Sequence, residues 1–335
     1  MKSSHNSIKN ETSLGAVIIG RNEGERLIRC IQSLQTVQTL VYVDSGSTDN
    51  SVKAAAELGV NVIELDLSIA FTAARARNEG YRYLVELYPD MDYIQFVDGD
   101  CEVNSDWVNK AETFLNMNPD FAVVCGRRRE RFPLNTPYNQ LCDIEWDTPL
   151  GETKSCGGDA MIRVQSLREV SGYRDSLIAG EEPEMSFRLR QAGWKIMRLD
   201  AEMTLHDAAM TRFSQWWKRN KRAGHAYAES YDLHGSSAEK FRKAECRSIF
   251  LWAGILPVLI LLMSLWQPEL LLGFFIYPLQ IARLIWRYRK RFNNSRLAVL
   301  YAGSNVLGKW PQLQGMAEFK INKKLGQRSH LIEYK

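Results

Sequence analysis

The sequence predicts an α/β protein with a mostly parallel sheet flanked by helices, followed by a helical region that associates with a membrane. Three observations predict it. Up to residue 100, apolar runs of strand length alternate with segments of helical spacing. The polar motifs GRNE, DSGSTD and DGD each follow directly on one of those runs. From Ile249 the chain becomes apolar over two long stretches.

The elements follow in order. Residues 1–13 are polar and predict a flexible N-terminus. GAVIIG (Gly15 to Gly20) predicts a first strand, and Leu27, Ile28, Ile31 and Leu34 repeat at helical spacing after it. TLVYVD predicts a second strand, SVKAAAELG a helix closed by glycine, and VNVIELD a third strand. FTAARARNEGYRYLVELY reads as a helix, and YIQFVDGD as a fourth strand. Such alternation implies a parallel sheet with helices on both faces. Ligands of these sheets bind beyond the carboxyl ends of the strands, where the three polar motifs lie. Further on, FAVVCGRRRERFP, CGGDAMIRV and Trp194 to Leu199 predict strands. EEPEMSFRLRQAGW predicts a helix with acids at its positive end.

The apolar region begins with 18 uncharged residues from Ile249 to Trp266. QPE interrupts it, and a second apolar stretch of 17 residues contains Pro278 and Arg283. Basic clusters precede the first stretch and follow the second. The positive-inside rule then predicts a hairpin, 249–286, with both ends cytosolic. Its rivals are a pair of buried core helices and a shallow re-entrant or interfacial hairpin. Residues 211–248, with FSQWWKRNKRAGHAYAE, predict an amphipathic interfacial helix, and 287–335 a basic interfacial tail. The remaining block, 14–210, is the predicted catalytic domain.

A length of 335 residues allows a large core with an appendage. A net charge of +4 without one basic face argues against a nucleic-acid partner. The six cysteines show no CxxC pair, which argues against a zinc knuckle and fits a reducing compartment. No apolar leader opens the chain, so the catalytic part is expected in the cytosol, at the cytoplasmic or inner cell membrane.

The chemistry starts with Asp98 and Asp100. In an extended turn, residues two apart point the same way, so both carboxylates can reach one hard cation such as Mg²⁺ or Mn²⁺. Asp44 ends the second strand, where it can accept hydrogen bonds from a base or ribose; Asp49 reads as turn chemistry. Arg21 and Glu23 stand at the tip of the first strand. Arg75 and Arg77 open the helix of RARNEG, close to any bound diphosphate.

The ordered series AVIIGRNEGERLIRCIQSL, VYVDSGSTDNS, RARNEG, VDGDCEV, CGGDAMIR and GEEPEMSFRLRQAGW resembles the family 2 glycosyltransferases, over roughly residues 14 to 210. The resemblance implies the GT-A fold and transfer of a sugar from a nucleoside diphosphate with inversion at the anomeric carbon. It carries Glu23 and Asp44 to nucleotide-contacting positions, and Asp98 and Asp100 to the motif that holds metal and donor diphosphate. It places the catalytic carboxylate at Glu181-Glu182, where the family usually has aspartate second. Glu181, Glu182 and Glu184 therefore compete, with Glu182 favoured as base and Glu181 on the acceptor side. Asp159 matches an acceptor-side turn, and His206 a late histidine near the metal. Gln215, Trp216 and Trp217 give a loose likeness to a segment that closes over the donor.

The expected partners are a nucleotide-sugar donor, membrane lipid and a lipid-linked or polysaccharide acceptor. The rival classes are a non-catalytic nucleotide-sugar-binding scaffold and a nucleotidyltransferase, which would need a better glycine-rich loop than GRNEGERL.

Overall fold

The structure, a computed structural model, describes residues 13–292, 294–327 and 329. The predicted flexible N-terminus lies, apart from Ser13, outside these residues. The chain divides into two compact units. The first comprises Met1–Arg128, Pro149–Tyr173 and Met185–Leu205; the second comprises Arg129–Thr148, Arg174–Glu184 and His206–Lys335. The predicted 14–210 block is thus interrupted, because residues 129–148 and 174–184 pack with the C-terminal helices.

The first unit opens with β1 (Leu14–Gly20), α1 (Glu25–Ser33), β2 (Thr39–Asp44), α2 (Ser51–Glu57) and β3 (Asn61–Glu64). There follow α3 (Ala73–Leu87), β4 (Tyr93–Asp98), β5 (Cys101–Val103), α4 (Trp107–Met117) and β6 (Phe121–Glu130). After α5 (Pro137–Trp146) come β7 (Gly151–Glu152), β8 (Ala160–Arg163), α6 (Val164–Glu169), α7 (Glu181–Gln191) and β9 (Lys195–His206). Local chemistry fixes several starts. The Thr72 hydroxyl caps α3 by accepting from Arg75 N at 3.0 Å. Thr136 caps α5 in the same way, with Pro137 in its first turn.

The sheet runs β3-β2-β1-β4-β8-β6-β9-β5, with β7 beside β9. Its first four strands are parallel, as predicted. Parallel pairing stops at β8, which is antiparallel to both β4 and β6. The core is continuous across it: Ala16, Val17 and Ile18 of β1 and Ile94, Phe96 and Val97 of β4 are fully buried. Gln95, the polar residue in that run, is buried but satisfied. It donates to Phe96 O at 2.8 Å and accepts from Trp107 Nε1 at 2.9 Å. The register sets Gly20 opposite Asp44 and Ile19 opposite Asp98, so three polar motifs emerge side by side at one sheet edge.

The second unit is helical. It contains α8 (Phe213–His234), α9 (Lys243–Ile249), a π-helical stretch at Phe250–Ile255, and α10 (Leu256–Ser264). A 3₁₀ stretch at Pro268–Phe275 leads into α11 (Ile276–Tyr288), followed by α12 (Ser295–Leu307) and α13 (Lys309–Lys324). The π stretch ends just before Pro257, where a wider turn accommodates a residue with no N–H to donate.

Two continuous helical rods result, Lys243–Ser264 of 22 residues and Pro268–Tyr288 of 21. At about 1.5 Å per residue each reaches roughly 30 Å, the thickness of a bilayer core. Their most apolar windows are 17% and 0% buried, which excludes the core-helix reading. Both rods extend beyond the predicted limits 249–286.

The regions around the hairpin differ from expectation. α8 does not lie free with one wet face; it packs directly on α13. Gly224 of α8 lies against the Gln312 backbone, and Gly315 of α13 against the Lys221 backbone, with no room for a Cβ at either. Lys221 pairs with Glu318, and Trp217 Nε1 donates to Gln314 Oε1 at 2.9 Å. Met316 and Phe319 are buried with Ala228, Cys246 and Ile249. The predicted interfacial tail is therefore largely two packed helices, α12 against α11 and α13 against α8.

Candidate active site

The tips of β1 and β2 are laced to each other. Asn22 adopts a left-handed conformation (φ 56°); its N–H donates to Ser47 Oγ at 2.8 Å, and its Oδ1 accepts from Thr48 N at 2.7 Å. Asp44 is 1% exposed and accepts from Tyr42 Oη (2.8 Å), Gly46 N (2.9 Å), Ser47 N (2.7 Å) and the Ser47 hydroxyl. Gly46 supplies the positive φ of 88° that this turn needs. Asp44, expected to meet the nucleotide, thus organises its own turn. Burial, then Asp44, raises the Tyr42 pKa, so the phenol stays a donor. Arg21 is exposed and lies over the Phe71 ring at 4.8 Å, while Glu23 pairs with Arg26 at 2.8 Å.

The tip of β4 is held by distant residues instead. Asp98 Oδ1 accepts from Arg77 Nη2 at 2.8 Å, and its Oδ2 from Arg128 Nη2 at 3.0 Å. Asp159, fully buried, accepts from the Asp98 backbone N at 3.0 Å, from Arg128 Nε at 2.9 Å and from the Thr204 hydroxyl at 2.7 Å. Burial works against the Arg128 charge, but Asp159 and Asp98 outweigh it and raise its pKa. RARNEG divides its labour. Arg75 donates to the Asp66 and Ile69 carbonyls at 2.9 Å, Arg77 holds Asp98, and Asn78 exchanges hydrogen bonds with the Tyr173 backbone at 2.7 and 2.9 Å.

The structure thus brings Arg77, Asp98 and Asp159 together around Arg128, a residue sequence reasoning missed. Its signal was there: in GRRRERF, strand alternation must turn at least one of the three consecutive arginines inward. Asp159, expected on the acceptor side, is a buried support for Asp98.

The donor set fits a hard divalent cation. Asp98 and Asp159 are balanced by Arg77 and Arg128, and Asp100, 6% exposed, adds a third carboxylate at the same strand end. Oxygen donors of this kind suit Mg²⁺ or Mn²⁺. The adjacent Cys101 thiol is a soft donor and a poor match for a hard cation; burial and then Asp159 push its pKa well up.

In the second unit, the three competing glutamates separate by environment. Glu184 has a fully buried side chain, 2.9 Å from His234 Nε2 and 3.4 Å from Arg174 Nε. It anchors the start of α7 to the end of α8. Glu181 is buried, and Glu182 is half-exposed, the most open of the three. His206, the last residue of β9, is nearly buried; its Nδ1 lies 3.8 Å from Glu130 Oε2 and its ring packs edge-on to Trp146 at 4.6 Å. Glu130 is held in turn by Phe132 N, Asn139 Nδ2 and Ala208 N. Gln215 caps α8, accepting from Thr211 N at 2.8 Å and Arg212 N at 2.9 Å. Its likeness to a donor-closing residue therefore has a local explanation.

A mixed sheet flanked by helices, with carboxylates and arginines gathered at the tip of β4, is the arrangement of the GT-A fold. The family model for glycosyl transferase family 2 matches residues 16–168 of the chain. The succinoglycan biosynthesis protein ExoA of Rhizobium meliloti (strain 1021) is 25% identical over 206 residues, 56% of this chain. The match spans only 61% of that relative's length. Among solved structures, the mannosyltransferase PcManGT of Pyrobaculum calidifontis, in complex with GDP-Man and Mn²⁺, matches with a TM-score of 0.58 at 14% identity. It covers 94% of this chain and 89% of that one. TarS 1-349 of S. aureus matches with a TM-score of 0.50 at 12% identity over 94% and 92% of the two chains. These likenesses show the fold.

Proposed function

We propose that this protein transfers a sugar from a nucleoside-diphosphate sugar to a membrane-held acceptor, by a single displacement that inverts the anomeric carbon. One observation carries the reading: Asp98 ends β4 clamped between Arg77 and Arg128, and Asp100 follows it two residues on, in the turn. The clamp orients the Asp98 carboxylate, and Asp100 offers a further oxygen donor for a cation with its diphosphate.

Asp100 is the principal cation ligand in this reading. Asp98 helps from its arginine clamp. A bound Mg²⁺ or Mn²⁺ would neutralise the charge that develops on the departing diphosphate. The structure of PcManGT with Mn²⁺ supports a cation of this type. Glu182 accepts the proton of the acceptor hydroxyl as its oxygen bonds to the anomeric carbon. The bond from that carbon to the β-phosphate oxygen breaks, and its electrons leave with the nucleoside diphosphate. Arg21 and Glu23, at the tip of β1, are proposed to contact the nucleotide. Asp44 acts there by shaping the turn.

Support for a membrane-held acceptor comes from the two exposed apolar rods and their basic flanks. The succinoglycan role in the name of ExoA points to a polysaccharide or lipid-linked sugar acceptor. The catalytic side would face the cytosol at the cytoplasmic membrane. The test is calorimetric titration of UDP-, GDP- and dTDP-sugars into the full chain, with and without Mn²⁺, on wild type and Asp100→Ala. Metal-dependent binding of one donor, lost in the variant, is the expected result. Folded protein that binds no donor would overturn the reading in favour of a scaffold.

A further inference from the structure

The second unit contains a cavity of about 360 Å³ among α5, α8, α12 and α13, separate from the carboxylate–arginine cluster. This is within the usual size of small-ligand sites, about 300–1,000 Å³. Its aromatic walls are Trp216, Tyr227 and Tyr301, and its amides are Asn220, Asn305 and Gln312. Glu145 and Arg219 also line it and pair with each other at 2.6 Å.

Two lining residues carry buried polar atoms with no hydrogen-bond partner among the described residues: Trp216 Nε1, a donor, and Gln312 Oε1, an acceptor. Gln312 Nε2 donates to Asn220 Oδ1 at 3.2 Å, and Asn220 Nδ2 to Trp216 O at 3.0 Å, so the amides are held in fixed orientations. Orphaned buried polar atoms cost free energy and call for an explanation.

The chemistry of the walls selects the ligand. The Glu145–Arg219 pair cancels its own charge, and among the described lining residues no other is charged. An acyl chain would leave the amides without partners. A neutral polyhydroxylated ligand satisfies both wall types, its apolar ring faces on the aromatics and its hydroxyls on the amides.

We propose that this cavity is a second saccharide-binding site, taking a neutral segment of a glycan away from the reacting end. The inference rests on the proposed transferase only for its use, which is to hold an elongated acceptor; binding itself is independent of catalysis.

The test uses the full chain in a detergent without a sugar headgroup. Cellohexaose, laminarihexaose and maltohexaose are titrated by calorimetry, in parallel with the nucleotide-sugar panel. At least one hexasaccharide should bind. Tyr301→Ala and Asn305→Ala should each weaken it about tenfold or more, the equivalent of one lost stacking or hydrogen-bonding contact. Nucleotide-sugar binding should be unchanged. Asn305 is exposed, so its substitution preserves the fold even if Tyr301→Ala unfolds. If no hexasaccharide binds folded wild type, or if one binds equally well in Asn305→Ala, the proposal is overturned. Hexasaccharide binding lost in the variants, in a protein that binds no nucleotide-sugar, would keep this site and remove the transferase reading instead.

Discussion

Asp44 and Asp98 look alike in the sequence: each ends a parallel strand and each is followed within two residues by a glycine. Their surroundings differ in kind. Every partner named for Asp44 lies within three residues of it. Asp98 is fixed by Arg77, 21 residues away, by Arg128, 30 away, and through its backbone by Asp159, 61 away. A carboxylate satisfied by its own turn builds a turn. One held by distant cations is held for something outside itself, because its geometry requires several elements to agree.

This contrast can be broken most forcefully at Arg128. Arg128→Met leaves Asp159 buried without its cation and should cost about 3–5 kcal/mol in chemical denaturation. Adding Asp159→Asn should recover part of that loss. If Arg128→Met alone is neutral, Asp98 is not held from afar in the way described.

Asp44→Ala and Asp98→Asn then separate the two roles. The first should lower stability by about 1–3 kcal/mol, as buried hydrogen bonds are lost, and weaken donor binding without removing its dependence on metal. The second should abolish donor binding at a smaller stability cost. The reverse pattern, read by urea titration and calorimetry, would exchange the two roles.

The second unit offers a further pair, His225 and Glu229 of α8, with Nδ1 and Oε2 3.5 Å apart. Burial pushes Glu229 up to about 7 and His225 down to about 4. With its folded pKa above its unfolded value, Glu229 holds an extra proton in the folded state between about pH 4.5 and 7, so its contribution falls as pH rises through that window. His225 works the other way, losing stability as pH falls from about 6.5 towards 4. Glu229→Gln should therefore stabilise the protein by about 1–3 kcal/mol at pH 8 and have little effect near pH 4. Urea midpoints at the two pH values check it.

The smallest effect is expected at Gln215→Ala. Loss of a helix cap should cost about 1 kcal/mol. Donor affinity measured by calorimetry should not change; a large loss of affinity would restore the donor-closing role.

Much of the first unit was legible in the sequence because its signals are local. Val17, Val41 and Ile94 lie in short apolar runs of strand length, and each run ends in a polar turn. What could not be read depends on partners far along the chain. The antiparallel β8 is only four residues long, and nothing in AMIR states its direction. Asp159 looked like an acceptor contact because its glycine turn was visible and Arg128 was not. The apolar residues of α13 suggested a lipid surface because Gly224 on α8, which they pack around, lies some 90 residues earlier. The order Glu181, Glu182, Glu184 was plain, but their ranking by exposure required α8 and His234.

The packing of α13 on α8 has a consequence for how the chain is made. The two helices flank the apolar hairpin in sequence and interlock at Gly224 and Gly315. Their clasp closes a loop that contains the whole hairpin, so the second unit cannot finish folding until synthesis has passed residue 315 and the hairpin has doubled back. The clasp acts as a checkpoint on biogenesis. A chain cut after the hairpin, or one whose hairpin emerges on the far side of a bilayer, would leave α8 without the helix that completes its core.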